Sequence, residues 1–157
     1  QLHITDKSDL AGLPEGTIEA AHSLAKSQEK EGWIFTLDYP SYVPFVTYAD
    51  NRELRKKMAI AFGAKGFQNN EFDNQEIVLK IAKLRFDRAQ VLGYATHAHF
   101  VLEERMAESP EKVKTFSNDL LEKAKSAALK EFAQLTAFAK ELDGIDHLEK
   151  WDGAYYS

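Results

Sequence analysis

Apolar residues recur at intervals of three and four along most of the chain, which is the spacing of one face of an α-helix. The clearest run covers residues 110–142, and a second covers residues 73–92. Start signals support both, because Ser109 can cap the first run and Asp73 has capping-box spacing to Glu76. A helix over 110–142 would be roughly 50 Å long, and its apolar stripe needs a partner. We therefore expect an antiparallel hairpin with the 73–92 helix.

Shorter segments with helical spacing or helix-start signals precede and separate these two runs. They are a segment that Pro14 opens and Gly32 stops, a segment from Pro40 to about Tyr48, a segment that Asp50 and Glu53 open and that reaches Phe62, and a segment from Thr96 to about Ala107. The predicted fold class is mainly α: a helical bundle with long antiparallel helices and one short β-strand.

The strand is predicted over Trp33–Asp38, where aromatic and β-branched residues are dense. A single strand cannot satisfy the hydrogen bonds of its own edges, so it must pair with another segment. No equally good strand appears elsewhere in the sequence, so we expect the partner to lie outside the chain. The aromatic residues of 33–48 are expected to form core, and Tyr39 and Tyr42 need polar partners for their phenols if they are buried.

Composition bounds the class of protein. At 157 residues, with 44% hydrophobic and 29% charged residues, the chain has the make-up of one globular domain, and no linker or domain boundary is apparent. A net charge of −5 disfavours a nucleic-acid partner. The basic run Arg52–Lys57 is predicted to be a solvated helix face. The longest apolar runs are far too short for a membrane span. The absence of cysteine excludes disulfides and thiolate metal sites.

The five histidines do not have the spacing of a zinc site. A helical zinc site needs two histidines at i and i+4, whereas His97 and His99 are two apart and point away from each other. His99 and Glu103 share a helix face, which favours a surface hydrogen bond. His22 lies on an apolar stripe and is expected to be partly buried and hydrogen-bonded. No His-Glu-x-x-His occurs, so we predict no catalytic, cofactor-binding or metal-ligating residue in this chain.

Short motifs follow one another in a fixed order along nearly the whole chain. They include Leu10-Ala11-Gly12-Leu13-Pro14, Gly32-Trp33, Tyr39-Pro40-Ser41-Tyr42, Asn51-Arg52-Glu53-Leu54-Arg55, Leu84-Arg85, and Trp151-Asp152 followed by Tyr155-Tyr156-Ser157. This set resembles the thimet oligopeptidase and peptidyl-dipeptidase family of zinc metallopeptidases, in the region upstream of the zinc-binding motif. The Tyr-Pro-Ser-Tyr and Trp-Asp-x-x-Tyr-Tyr elements look closer to the bacterial peptidyl-dipeptidase branch. The motif positions expected to be structural are Trp33, Tyr39, Pro40, Tyr42, Asn51, Arg52, Arg55, Trp151, Asp152 and Tyr155.

The resemblance implies a mostly helical, two-lobed enzyme in which zinc activates a water molecule and C-terminal dipeptides are released from oligopeptides. Residues 1–157 would be a single helical fragment that supplies the wall of the channel and is inactive alone. Zinc is expected in the full-length protein and not in this fragment.

The implied partners are oligopeptide substrates, for the full-length protein, and the remaining catalytic portion of the same chain. No nucleic acid and no membrane span are expected. We expect a cytoplasmic location, with the periplasm as the alternative. A different class of function is a free-standing helical binding or scaffold domain without catalysis.

Overall fold

A computed structural model describes all 157 residues, Gln1–Ser157. Its regular structure is seven α-helices, one 3-10 helix (Lys7–Leu10) and two short strands, so the predicted mainly α class is confirmed. The strands are β1 (Leu2–Ile4) and β2 (Trp33–Phe35). The helices are α1 (Glu15–Ser27), α2 (Tyr39–Tyr48), α3 (Arg52–Gly63), α4 (Gln75–Val91), α5 (His97–Leu102), α6 (Pro110–Asp143) and α7 (Gly153–Tyr156).

The chain divides into two compact units. The first comprises residues 1–65 together with residues 133–157, and the second comprises residues 66–132. Helix α6 begins in the second unit and ends in the first. That the 157 residues are a single helical fragment of a larger metallopeptidase stays a prediction.

The predicted strand has its partner inside the chain, which corrects the expectation that the partner lies elsewhere. β1 pairs with β2 in antiparallel register, with His3 opposite Ile34. β1 is only three residues long, too short for an alternating pattern to be recognised in the sequence. β2 ends at Phe35 and not at Asp38. Beyond it, the Thr36 amide donates to Ser41 Oγ at 2.9 Å, so the chain turns into α2.

His22 lies on α1 near this small sheet. Its Nδ1 donates to the Gly32 carbonyl at 3.1 Å, which confirms the predicted hydrogen bond. The residue is exposed, however, so the predicted partial burial is wrong. The reason is the phase of α1, which turns Ala21 and Ala25 inward and His22 outward.

The core of the first unit forms where the two strands meet α1, α2 and α3. Phe35 and Phe45 are fully buried and pack edge to face with ring centroids 4.7 Å apart. Ile4, Leu10 and Met58 belong to the same buried cluster. Full burial of each such side chain stabilises the fold by about 1.5–3 kcal/mol. This core fixes the position of α3, which carries the arginines described below.

A tight turn at Gly12 joins the N-terminal segment to the end of α2. Gly12 has a φ of 83°, and a Cβ there would lie 2.1 Å from the Tyr48 carbonyl oxygen, so only glycine fits. The Asp50 amide donates to the Ala11 carbonyl at 2.9 Å. The turn therefore holds the chain at the point where α3 begins.

The helix caps agree in part with the predicted ones. Thr96 and Ser109 cap α5 and α6 as predicted, through Thr96 Oγ1 and Ser109 Oγ. At α3 the cap is Asn51, whose Oδ1 accepts from the Leu54 amide at 3.2 Å, and not Asp50. Asp50 is displaced from this role because its amide is used by the turn at Gly12 and its carboxylate by a tyrosine. The segment after Thr96 also ends earlier than expected, at Leu102.

In the second unit, α5 packs against α4, and the Tyr94 amide closes the connection by donating to the Ala89 carbonyl at 2.8 Å. Helices α4 and α6 do not pack closely against each other, although their apolar stripes predicted an antiparallel hairpin. The stripe positions of both helices remain exposed. Ile77, Leu84, Phe116 and Leu120 are each more than half exposed. A stripe in sequence predicts that a helix needs a neighbour, but it does not say which element supplies it.

The loop before α4 is organised by Asp73. Its carboxylate accepts from the amides of Gln68, Asn69 and Gln75 at 2.9, 2.6 and 2.9 Å. Hydrogen bonds from Gln75, first from its backbone and then from its side chain, lower the pKa of Asp73 to about 2. The residue predicted to begin a capping box therefore stabilises the whole turn, and Asn74 takes the cap position.

The predicted hydrogen bond between His99 and Glu103 is wrong. His99 Nδ1 lies 2.8 Å from Thr96 Oγ1, while Glu103 accepts from the Tyr94 hydroxyl. Each side chain has another partner: the Tyr94 hydroxyl occupies the Glu103 carboxylate, and the His99 ring turns back to the Thr96 hydroxyl at the start of the helix.

Candidate functional site

Helix α3 carries two arginines on one face, three residues apart, and both reach a single carboxylate near the end of the chain. Arg52 forms a bidentate pair with Asp152, with Nε to Oδ1 at 2.9 Å and Nη2 to Oδ2 at 2.6 Å. Arg55 Nη2 lies 3.5 Å from Asp152 Oδ1. We call Arg52, Arg55 and Asp152 the arginine–aspartate cluster. It joins residues about a hundred positions apart in sequence.

Arg55 is the buried arginine of the cluster, with 1% of its surface exposed. Its Nη1 donates to the carbonyls of Ala49 and Asp50 at 2.7 and 3.1 Å, and its Nε donates to the Trp151 carbonyl at 3.3 Å. These bonds satisfy the guanidinium away from water. The basic run was predicted to be solvated, and at Arg55 that prediction is wrong, because the helix places Arg55 on the same inward face as Met58.

Asp152 is completely buried and stays ionised. Burial alone would raise its pKa, but hydrogen bonds from Arg52 and from the Glu149 amide, with the charge of Arg52 and a bond from Arg55, lower it below the usual value. The same contact raises the pKa of Arg52, chiefly through the hydrogen bond to Asp152. The cluster is therefore an anion held between two cations at neutral pH.

Two tyrosines of α7 extend the cluster. The Tyr155 hydroxyl donates to Asp50 Oδ1 at 3.0 Å, and its ring lies over the Arg55 guanidinium at 3.7 Å. The Tyr156 hydroxyl donates to Asp143 Oδ2 at 2.6 Å. Burial, then the hydrogen bond to Asp143, raises the pKa of Tyr156 to about 12, and burial also raises the pKa of Tyr155.

These shifts decide what the site can do chemically. A general acid or base works best with a pKa near the working pH. Here the carboxyl pKa of Asp152 is lowered and the tyrosine pKa values are raised, so each moves away from neutrality. The donors of Arg55 are also taken by backbone and carboxylate oxygens. The arrangement positions α7 and the preceding Trp151 against α3, and that none of these residues is catalytic stays a prediction.

Six of the ten motif positions meet at this cluster: Asn51, Arg52, Arg55, Trp151, Asp152 and Tyr155. Asn51 adds a bond from its Nδ2 to Asp9 Oδ1 at 2.8 Å, beside its capping role. Lys56 Nζ lies 5.3 Å from the Trp151 ring centroid. The assignment of these positions to structural roles stays a prediction.

The other four positions, Trp33, Tyr39, Pro40 and Tyr42, lie elsewhere in the first unit. The Trp33 ring is 6.2 Å from His22. Pro40 lines an open cavity of about 230 Å³ beside α1. Tyr42 stacks on Phe62 at 4.0 Å, and Tyr39 packs edge-on to the same ring at 5.7 Å. Tyr39 is 70% exposed and Tyr48 is 51% exposed, so the expectation that the aromatic residues of 33–48 form core is wrong for these two.

Sequence reasoning missed the acidic residues that complete the site, Asp9, Asp50 and Asp143. No role was predicted from the sequence for Asp143, which precedes Gly144 just after the predicted helix. Asp50 was taken as a cap. The signal for Asp50 and Asp143 is the pair Tyr155-Tyr156, because two adjacent phenols that are partly or fully buried need two acceptors.

The zinc ion that the resemblance implies does not fit on this chain. No three side chains among the histidines, aspartates and glutamates lie close enough together to hold a metal ion. No chemical step through a metal is therefore derived from these residues. No helix of the chain combines the length and the apolar character that a membrane span requires.

Comparison with known proteins agrees with the motifs. Residues 45–157 match peptidase family M3. The chain is 43% identical over 158 residues to oligopeptidase A of Salmonella typhimurium and 42% identical over 158 residues to oligopeptidase A of Escherichia coli, in each case over 98% of this chain and 23% of the relative. It is 26% identical to dipeptidyl carboxypeptidase of Escherichia coli, over 99% of this chain and 23% of that protein.

The chain therefore belongs to peptidase family M3, and the resemblance to the thimet oligopeptidase and peptidyl-dipeptidase group is confirmed. Its identity to oligopeptidase A exceeds its identity to dipeptidyl carboxypeptidase. The chain spans about a quarter of the length of these relatives.

Proposed function

We propose that this chain is a helical wall portion of a zinc-dependent peptidase that cleaves oligopeptides, and that it does not cleave peptides alone. The observation that carries the proposal is the match to peptidase family M3 over residues 45–157, in a chain that spans only 23% of oligopeptidase A. The zinc ion and the catalytic residues belong to the remaining portion of the parent protein.

The geometry of the site supports this division of roles. The arginine–aspartate cluster lies inside the matched segment, its three members are paired, and Arg55 and Asp152 are buried. Such a cluster fixes the position of the helices around it. A wall for a peptide channel needs that rigidity, because substrate groups must be held in one place relative to the reacting atoms.

The test compares the 157-residue chain with the parent protein. We expect the chain to hold no stoichiometric zinc by elemental analysis and to leave an internally quenched peptide intact. The parent protein should hold one zinc per chain and lose cleavage when a chelator is added. A chelator-sensitive activity that co-purifies with the isolated chain at constant specific activity would overturn the proposal.

The parent reaction is proposed more finely as the release of dipeptides from the C-terminus of oligopeptides. Its support is the likeness to dipeptidyl carboxypeptidase and the Tyr-Pro-Ser-Tyr and Trp-Asp-x-x-Tyr-Tyr elements. Mass spectrometry of the products from an eight- to ten-residue peptide decides the point. Stepwise loss of two residues supports dipeptide release, and cleavage at internal bonds contradicts it.

We also propose a cytoplasmic location for the parent protein. Immunodetection in separated cytoplasmic and periplasmic fractions tests this, and recovery in the periplasmic fraction would overturn it.

A further inference from the structure

Helix α4 is apolar around most of its circumference, and that surface is exposed. At about 100° per residue, five polar side chains share a narrow arc, and the apolar side chains are spread over roughly 240° that also contains Gln75, Arg85 and Arg88. The five are Glu76, Lys80, Lys83, Asp87 and Gln90. We call this wider part the apolar arc of α4. Its most exposed members are Val91 at 87%, Leu79 at 71%, Val78 at 61%, Leu84 at 57%, Ile77 at 55% and Phe86 at 50%. Only Ala89 on this helix is buried.

The width of the apolar arc indicates what kind of partner covers it. A helix that packs on one neighbour has an apolar stripe about 100° wide, while apolar positions spread over about two thirds of the circumference need neighbours on more than one side. One symmetric contact with a second copy would cover a single stripe and leave the rest in water. The apolar arc therefore needs several neighbouring elements, and the relatives are about four times longer than this chain.

Arg85 lies within the apolar arc, between Val78 and Ile81 on the helix surface. It is exposed, and no ion pair, hydrogen bond or ring contact of the structure involves it. Arg88 differs, because its guanidinium lies over the Phe100 ring at 4.8 Å. When apolar surface covers an arginine, the charge is tolerated only if a carboxylate or equivalent acceptor pairs with it. The covering element must therefore present an acidic group at Arg85.

We propose that the apolar arc of α4 is the docking face for the portion of the parent peptidase outside these 157 residues, and that one of the elements of that portion pairs a carboxylate with Arg85. The inference rests on the proposed function, which makes this chain one portion of a longer peptidase. It assigns a role to the Leu84-Arg85 motif, which the arginine–aspartate cluster leaves unexplained.

The test uses three variants of the parent protein and thermal unfolding as the readout. Arg85→Gln should lower the Tm by about 3 °C or more, because a buried carboxylate loses its cation. Arg85→Lys should recover part of that loss, since the charge is kept and the bidentate fork is not. Lys83→Gln is the matched control. It removes an exposed pair with Asp87, of 2.6 Å, and should shift the Tm by less than about 1 °C.

Other occupants give different results, and each would overturn the proposal. If Arg85 binds the substrate carboxylate, Arg85→Gln leaves the Tm unchanged and raises KM for peptides with a free C-terminus but not for their amides. If a second copy covers the arc, light scattering shows a change in oligomeric state for Arg85→Gln. If nothing covers it, hydroxyl-radical footprinting labels Leu79 and Leu84 equally in the parent protein and in the isolated chain. Peptide cleavage is measured separately, so a parent without activity would contradict the proposed function and not the docking.

Discussion

Helices α3 and α4 belong to different units of the same chain and differ in how completely their side chains are satisfied. On α3, Arg52 and Arg55 are both paired, and Leu54 and Met58 are buried together with Arg55. On α4, a single alanine is buried, and Arg85 has no partner. The inward side chains of α3 are covered by other elements of the first unit, whereas most side chains of α4 are not covered by any element of the second unit.

The difference shows where the stability of each helix originates. Most helical stability in proteins comes from tertiary packing and not from intrinsic propensity. Helix α3 has that packing, through the core and through the arginine–aspartate cluster. Helix α4 rests on α5 and on its own backbone bonds, so its order should depend on what surrounds it in the parent protein.

The largest expected effect comes from removing the carboxylate of the cluster. Asp152→Asn leaves Arg55 buried without its anion, and loss of one member of a buried pair costs about 3–5 kcal/mol. The free energy of unfolding of the 157-residue chain, measured by urea denaturation with circular dichroism, should fall by that amount. Asp146→Asn is the control, because Asp146 forms an exposed pair with Lys140, and it should leave the midpoint unchanged. Equal midpoints for the two variants would mean that the cluster does not stabilise the first unit.

A smaller decrease in the free energy of unfolding is expected when the contact of α7 with Asp143 is weakened. Tyr156→Phe removes the hydroxyl that donates to Asp143, and a hydrogen bond of this kind contributes about 1 kcal/mol. Tyr48→Phe is the matched control, because Tyr48 is 51% exposed. The same denaturation experiment should show a shifted midpoint for the first variant only. If both midpoints stay at the wild-type value, Tyr156 does not anchor α7.

Acid should weaken the first unit through Asp152. Its pKa is lower in the folded state than in the unfolded chain, so the ionised carboxylate stabilises the fold fully above the unfolded value of about 3.8. That contribution is lost as the pH falls through the folded value. Urea midpoints between pH 7 and pH 2 should therefore decrease below about pH 4. The decrease should be smaller in Asp152→Asn than in the wild type. Identical pH profiles for the wild type and the variant would contradict the lowered pKa of Asp152.

The smallest effect concerns a local feature of the second unit. The Asp73 carboxyl should titrate at about 2 when followed by carbon-13 NMR, because Gln75 donates to it from its backbone and its side chain. Gln75→Leu keeps the backbone bond and loses the side-chain bond, so it should raise that pKa part of the way to the usual value. A wild-type pKa near 4 would show that the loop before α4 is not held as described.

The sequence predicted the helices well because their signals are local. The adjacent residues Ser109 and Pro110 mark the start of α6, and the helical spacing of apolar residues continues to the end of that helix. It predicted β2 but not β1, because Leu2–Ile4 is too short to show a period. Pairing over some thirty residues depends on where α1 places the two segments, and no local pattern encodes that.

The sequence predicted that the residues of the arginine–aspartate cluster belong to family motifs, but it did not predict that they contact one another. Arg55 appeared to belong to a solvated basic run because the sequence shows only the sign of the charge. Its burial follows from helix phase, which aligns Arg55 with Met58. Its partner Asp152 lies 97 residues further along the chain, and only the folded first unit brings the two together.

Amide hydrogen exchange of α3 and α4, measured in the isolated chain and in the parent protein, tests the central claim most directly. The account predicts that α3 exchanges slowly in both proteins, while α4 exchanges quickly in the isolated chain and slowly in the parent. Equal protection of α4 in the two proteins would contradict it.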